Sequence, residues 1–238
     1  MTAQEFDYQF DVLYNNITSN QAPGLDAYEK SVFLTKAQDE IIKNYFLRQS
    51  NPKQAGFDNN QKRQADFSNI IVVASATNPT TAKYAFQSNA QNFTLPTTNK
   101  ILLILNEKVG LSNDRNLVVK SVALDEYDRL VAKPFKYPTK NQAWRLITSP
   151  GTVDIVVGPN DTISNYTIRY VKKPHPIIVD TLIGVTIDGL SAPQNPVCEL
   201  DEILHEEILQ RAVELAKISW ANGNDNTQLL VQAGSRSE

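Results

Sequence analysis

The sequence predicts an α+β protein: a helical bundle formed by the N- and C-terminal helices, with an inserted, mainly antiparallel β lobe. Three observations carry this. Apolar residues recur at helical spacing in residues 2–49 and again in 196–223. Short β-branched and aromatic runs, separated by turn residues, fill the stretch between. Those runs mostly follow one another directly, which suits antiparallel pairing better than parallel. The division expected is a bundle from 1–49 and 196–223, an inserted lobe at 50–195, and a C-terminal arm at 224–238.

The first helix opens at Thr2 and Glu5, which have capping-box spacing. Phe6, Phe10, Leu13 and Ile17 then fall on one face. Residues 18–24 are polar and end in Pro23-Gly24, which stops the helix. Asp26 and Glu29 repeat the capping pattern for a second helix, whose stripe is Leu34, Ala37, Ile41 and Tyr45. Val32, Phe33 and Ile42 widen that stripe, so it needs more than one neighbour. Part of this wide face is a candidate for contact with another copy.

Residues 50–66 are rich in Asn, Gln and Lys and read as an exposed connection. Strands are expected at 70–73, 101–105, 117–122, 144–147, 153–157 and 163–171. In the last of these, Ile163, Tyr166, Ile168 and Tyr170 alternate with polar residues, imperfectly near Asn165. Residues 124–130 read as a short helix with acids in its first turn. Gly158-Pro159-Asn160-Asp161 reads as the turn of a hairpin. The closing helix follows Pro196, with Leu204, Ile208, Ala212, Leu215 and Ser219 on one face and Leu200, Ile203 and Ala216 beside it. Asn222-Gly223-Asn224 is its expected stop. The N- and C-terminal helices have matching apolar faces, and burying them together gives the bundle.

Composition narrows the chemistry. The chain has 238 residues, 41% hydrophobic and 21% charged, enough for a core. Lys and Arg number 23 against 26 Asp and Glu, a net charge of −3, so no global basic field holds nucleic acid. The single cysteine, Cys198, allows no internal disulfide and no cysteine-rich zinc site. No apolar run approaches the ~20 residues that cross a bilayer. The acidic N-terminus lacks the pattern of a signal peptide, which fits a protein made in the cytoplasm.

No catalytic motif stands out. His205-Glu206-Glu207-Ile208-Leu209 begins like a zinc-protease helix, but Leu209 holds the place of the second histidine. His205 therefore reads as a surface histidine among acids. His175 lies between Pro174 and Pro176 and marks a strand exit. There is no nucleophile-elbow sequence and no phosphate loop. The acid pairs Asp125/Glu126 and Glu206/Glu207 diverge by ~100° on a helix and read as solvated faces. No catalytic residue, metal or cofactor is expected. Small basic groups, Lys172-Lys173 and Lys133, Lys136 and Lys140 with Phe135 and Tyr137, read as exposed turn chemistry. The sequence admits two other function classes: a hydrolase, and a carbohydrate-binding module stacking sugars on Trp144, Tyr137 and Tyr166, although core burial is the plainer role for those rings.

Three segments carry a resemblance. The first runs from Ala22-Pro23-Gly24-Leu25-Asp26 through Tyr28, Phe33 and Ala37 to Gln38; the second from Arg169-Tyr170 through Pro174 and Pro176 to Ile178. The third is Leu204-His205-Glu206-Glu207-Ile208-Leu209 with residues 212–216, Ala212 first. Together they resemble a virion protein family of tailed bacteriophages, in particular the crAss-like phages of gut Bacteroidetes. The family resembles head-to-tail connector, or portal adaptor, proteins of short-tailed phages (podoviruses). The resemblance implies a ring, typically of twelve copies, docked under the portal protein at the head-tail junction of the virion. It implies tail-hub or tail-fibre proteins attached below, viral DNA passing through the lumen without specific binding, a role in genome ejection, assembly in the host cytoplasm and no membrane partner. Leu229, Leu230 and Val231 are then a candidate portal-binding arm. Another tail-hub ring, or a head-decorating protein, is the nearest alternative. The insertion at 50–195 is larger than in simple adaptors, and its role does not carry over.

Overall fold

The computed structural model describes residues 1–15, 24–46, 65–133 and 138–221. In chain order the elements are α1 (Ala3–Asn15), α2 (Ala27–Phe46), a 3-10 turn (Ser68–Ile70), β1 (Ile71–Ser75), β2 (Thr77–Thr81), β3 (Gln91–Thr94), β4 (Ile101–Leu111), β5 (Asn116–Ser121), α3 (Leu124–Val131), β6 (Gln142–Ser149), β7 (Thr152–Val156), β8 (Ile163–Lys172) and α4 (Glu202–Ala221). The fold is α+β, with helices at the N- and C-terminal parts and one mostly antiparallel sheet between. Contacts divide the chain into two compact units, Met1–Ile70 with Pro174–Glu238, and Ile71–Lys173.

In the helical unit both expected capping boxes form. Thr2 N–H donates to Glu5 Oε2 at 2.7 Å, and Glu5 N–H to Thr2 Oγ1 at 3.2 Å. Asp26 and Glu29 exchange the same pair of bonds at 3.1 and 2.7 Å. From α1, Phe6, Phe10 and Tyr14 are buried; Leu13 is half-buried, and Ile17 lies outside the described residues. The buried side of α2 includes Leu34, Ala37, Ile41 and Ile42. On α4, Leu204, Ile208, Leu209, Ala212, Val213 and Ala216 are buried. Ile203 departs from the expected stripe: it lies at the first turn, outside the buried face, and is 69% exposed. The expected stop at residues 222–224 lies outside the described residues.

The sheet unit has strand order β1-β8-β4-β5-β6-β7-β3-β2. Every neighbouring pair is antiparallel except β5 with β6. The two end strands, β1 and β2, are consecutive in the chain with only Ala76 between them. One residue joining the ends requires the sheet to curl strongly. Phe93 of β3 accordingly meets Tyr166 of β8, ring centroids 5.4 Å apart, although four strands separate them in the sheet. Around that contact lies a core including Val109, Leu117, Val153, Ile155 and Ile168. On the other face of β6 and β7, Tyr127 of α3 packs with Val122, Trp144, Leu146 and Val156.

The Gly158–Asp161 turn does not make the expected hairpin. The turn forms, with Asp161 N–H donating to Gly158 O at 3.0 Å. Yet β7 lies between β6 and β3, and β8 between β4 and β1. Asp161 ion-pairs with Arg115, and Ser112 N–H donates to Thr162 O at 3.1 Å, so the turn delivers the chain to the β4–β5 end instead. The hairpin partner of β7 is β6, through Pro150-Gly151, where Gly151 has φ 76°. Two strands carried no sequence signal. β2 reads Thr-Asn-Pro-Thr-Thr, a polar edge that tolerates Pro79, and β3 has only four residues. The irregularity near Asn165 is a bulge: Gly110 faces Asn165 and Leu111 faces Ile163, so β8 has the extra residue Ser164. A Cβ at Gly110 would stand 2.0 Å from Asn165 Oδ1, which is why that position has no side chain.

Candidate interaction surfaces

The three resemblance segments converge in the helical unit, apart from the β8 residues of the second. Ser31, Thr35 and Gln38 form a polar line along α2, and each serves the extended chain that follows β8. Val179 N–H donates to Ser31 Oγ at 3.1 Å, Ile177 N–H to Thr35 Oγ1 at 3.2 Å, and Gln38 Nε2 to His175 O at 3.0 Å. The Cys198 thiol donates to Gln38 Oε1 at 3.4 Å. Burial pushes that thiol up to about 11, so it stays protonated and unreactive. The extended chain is thus the second neighbour that the wide α2 face needed. That part of the face is covered within the chain and is no contact patch for another copy.

Charges tie the helices together. Lys30 Nζ bonds Asp7 at 2.8 Å and Asp11 at 2.7 Å, joining α2 to α1. Burial works against the ammonium, but Asp11 and Asp7 outweigh it and hold its pKa above the ordinary lysine value. Arg211 of α4 grips Glu40 of α2 through Nε at 3.0 Å and Nη2 at 2.5 Å, and reaches Glu214 at 3.2 Å. A groove of about 240 Å³ lies there, with Glu207 and Gln210 at its rim.

His205 is not the surface histidine expected. It is 4% exposed, tilted against Phe6 with ring centroids 5.5 Å apart. Its Nε2 lies 3.2 Å from Leu200 O, and a carbonyl only accepts, so Nε2 carries the proton. Nδ1 then accepts from the Met1 amino group at 2.9 Å. Burial, reinforced by that amino group, pushes the imidazole below its ordinary pKa. Its neighbour Glu206 is exposed, whereas Ile208 and Ala212 are buried. His175 follows the end of β8 by three residues, as expected of a strand exit; its backbone N–H donates to Glu199 Oε2 at 3.2 Å.

Most other resemblance residues are structural. Ala37, Tyr170, Pro174 and Pro176 are buried. Leu25 and Phe33 are half-buried, the latter under Lys36 Nζ at 5.9 Å. Gly24 and Tyr28 are exposed, Tyr28 by 40%. Pro23, Tyr137 and the arm residues Leu229, Leu230 and Val231 lie outside the described residues.

In the sheet unit the polar groups are buried in two clusters. Asp154 is fully buried and accepts from the backbone N–H groups of Lys83, Tyr84 and Ala85 at 3.1, 2.7 and 3.0 Å, and from Asn92 Nδ2 at 2.6 Å. Burial alone would raise its pKa, but these four donors hold it below the ordinary carboxylate value. Glu107 accepts from Arg145 Nη1 at 2.8 Å and from the Tyr166 hydroxyl, whose pKa burial and Glu107 push up. Two of the three rings of the sugar-stacking reading offer no face: Trp144 is 6% exposed and Tyr166 fully buried, because both fill the core.

Two exposed features stand out among the described residues. Beyond Lys108–Gly110, β4 parts from β5 and leaves an open cleft of about 630 Å³, walled by residues 101–107, Val118 and Val119, with Arg145 also lining it. In the helical unit, residues 182–191 form a small hairpin around Asp188-Gly189. Among the described residues no three His, Cys, Asp or Glu side chains group as a metal site, and no helix is long and apolar enough to cross a membrane.

Sequence reasoning missed three of these features. Ser31, Thr35 and Gln38 recur at helical spacing, a polar stripe that signals a hydrogen-bonded partner. Asp-Gly between Ile187 and Leu190 is a two-residue hairpin signal. The run Ile-Leu-Leu-Ile-Leu at 101–105 never alternates, unlike a strand with one solvated face.

The sequence profile of the family described as "Phage tail ring protein 3/4" matches residues 1–228. The chain belongs to this family of phage tail ring proteins. It is 44% identical over 246 aligned residues, covering 100% of both chains, to "Ring protein 4/5" of Bacteroides phage crAss001. It is 28% identical over 225 residues, covering 92% of this chain and 96% of the relative, to "Ring protein 3" of the same phage. The resemblance to crAss-like phage proteins is therefore established. For a tail ring protein, the buried clusters read as scaffold, and the exposed edges and grooves become the surfaces of interest.

Proposed function

We propose that this ring protein is a structural virion subunit that closes into a head-to-tail connector ring, docks to the portal, joins the tail and surrounds the DNA channel. The observation that supports this most is the match to Ring protein 4/5, which covers 100% of both chains. Ring protein 3 of the same phage is a second relative, which favours a stack of related rings rather than a single one. Ring contacts of identical copies are heterologous, so each chain supplies two different complementary patches. The resemblance suggests twelve copies, with portal above and tail-hub or tail-fibre proteins below. The net charge of −3 suits a lumen that repels phosphate and lets the genome slide without binding it. The residues from 224 onward, with Leu229, Leu230 and Val231, are proposed to engage the portal.

The family description as a tail ring favours a second reading, in which the ring sits lower in the tail and never touches the portal. Symmetric and asymmetric reconstruction of the intact particle separates the two. A coaxial ring of this chain against the portal, with acidic side chains toward the channel, is the expected result. A ring separated from the portal by another protein selects the tail reading; absence from mature particles, or a basic lumen, overturns the proposal. Deleting residues 224–238 should weaken attachment to purified portal while the fold persists, and unchanged attachment removes the arm's role.

A further inference from the structure

We infer that neighbouring copies in the ring grip each other by charge: the open, basic side of the sheet at β8, β4 and β5 of one copy docks on the acidic outer side of α4 of the next. This inference rests on the ring reading above and supplies the two different patches that such a ring needs.

The small net charge hides a division. The sheet unit, residues 71–173, holds 13 of the 23 Lys and Arg and 7 of the 26 Asp and Glu, a net charge of +6. The helical unit holds the other 10 cations and 19 acids, a net charge of −9. Units of opposite sign on one chain favour head-to-tail contact between copies over contact of like with like.

Strand register places the cations of the sheet unit. Lys108 of β4 stands opposite Thr167 of β8 and Val118 of β5, so these three side chains share one side of the sheet. Two residues along, Arg169 of β8 and Lys120 of β5 lie on that same side, and Val73 of β1 stands opposite Arg169. Val109, Leu117, Tyr166 and Ile168 turn the other way, into the core. On β6 and β7 the outer side packs under α3. On β1, β4 and β5 it is open: Lys108 and Lys120 are exposed, Val73 by 64% and Val118 by 60%. The strands β1, β8, β4 and β5 contain one acid, Glu107, which is buried and held by Arg145 and the Tyr166 hydroxyl. No carboxylate on its own strands therefore neutralises this face.

α4 presents the opposite surface. Glu202, Glu206, Glu207 and Gln210 are exposed at one-turn spacing around Ile203, itself 69% exposed. The two cations of α4 are engaged elsewhere. Arg211 is taken by Glu40 and Glu214, and Lys217 is buried with its Nζ donating to Leu13 O at 3.1 Å. Acids around an exposed isoleucine thus answer lysines around exposed valines, complementary in charge and able to close on a dry apolar centre. That complementarity selects a second copy as the occupant. Nucleic acid would meet the lysines alone, whereas a second copy meets both faces. Lysines neutralised by the next copy also leave no basic lining to hold phosphate in the channel.

The test supplies full-length chains in trans to a phage lacking its own copy. Two variants reverse one patch each: Lys108→Glu with Lys120→Glu, and Glu206→Lys with Glu207→Lys. Each alone sets like charges face to face and should lower the yield of infectious particles about 10-fold or more. Supplied together, the two variants restore attraction when they alternate around the ring. The acidified sheet of one meets the basic helix of the other, and the unaltered faces meet in turn. Yield should then return to within about threefold of the wild type, with both variants present in the particles. A contact within one chain cannot be rescued in this way, because each variant carries two patches of one sign. No loss from either variant, a loss confined to one of them, or a loss that mixing does not relieve overturns the inference and leaves the ring reading standing. Absence of the unaltered chain from wild-type particles overturns the ring reading and the inference with it. Should a purified variant prove unfolded by thermal melting, the density of wild-type particles decides: α4 against the β4–β5 face of the neighbouring copy upholds the inference, and any other arrangement overturns it.

Discussion

The helical unit and the sheet unit both bury polar groups to hold irregular chain, but they distribute the task differently. In the helical unit the extended chain at 175–179 hangs on three neutral side chains of α2, Ser31, Thr35 and Gln38, one bond or two each. In the sheet unit the loop at 83–85 hangs on one carboxylate, Asp154, which accepts all three backbone N–H groups and Asn92 as well. Neutral bonds are individually worth about 1 kcal/mol, whereas removing the acceptor of a buried charged cluster strands every donor at once. The first arrangement is tolerant of single losses and the second is not.

The sharpest way to break this contrast is Asp154→Ala. It should cost about 3–5 kcal/mol in denaturant-induced unfolding of the full chain, because it strands three backbone N–H groups and the Asn92 amide, at about 1–3 kcal/mol for each donor left buried and unpaired. A loss under about 1 kcal/mol would abolish the distinction. The same residue sets an acid limb. Its folded pKa lies below the ordinary value of 3.8, so its contribution is complete above that pH and is lost as the pH falls toward the folded value. Asp154→Asn should flatten stability against pH as the pH falls below the ordinary carboxylate value of 3.8, read by thermal unfolding across that range. Gln38→Ala should cost less, about 1–3 kcal/mol, since it leaves the His175 carbonyl and the Cys198 thiol unpaired. Smallest is Thr2→Ala, which removes one half of the first capping box and should lower stability by about 0.5–1 kcal/mol.

Local features were legible to different depths in the two units. Both capping boxes, the α1 and α2 stripes and the short α3 follow from spacing within a few residues, because a helix makes its own hydrogen bonds. Six strands were legible as apolar runs. Their partners were not: the turn at 158–161 looks like a hairpin turn whichever strand it feeds, and only the Arg115–Asp161 and Ser112–Thr162 contacts show where the chain goes. His205 was misread for a similar reason. Its acidic sequence neighbours, Glu206 and Glu207, point to solvent while the ring itself packs on Phe6, nearly 200 residues away in sequence. Of the candidate contact surfaces, the wide α2 face was visible, but the segment that covers part of it was not. Conversely, the β4 run was visible as a strand without any sign that, among the described residues, β5 pairs with it only at Lys108, Val109 and Gly110.

What the sequence by itself determined is the inventory: helices at the N- and C-terminal parts, strands between them, no catalytic motif, and the family. Those depend on composition, on residue order over one or two turns, and on recognisable segments. Tertiary structure alone decided the strand order, the burial of His205 and the carboxylate on which the 83–85 loop hangs. These depend on which distant backbone groups meet, and hydrogen-bond partners drawn from opposite ends of a 238-residue chain leave no periodic trace in either segment.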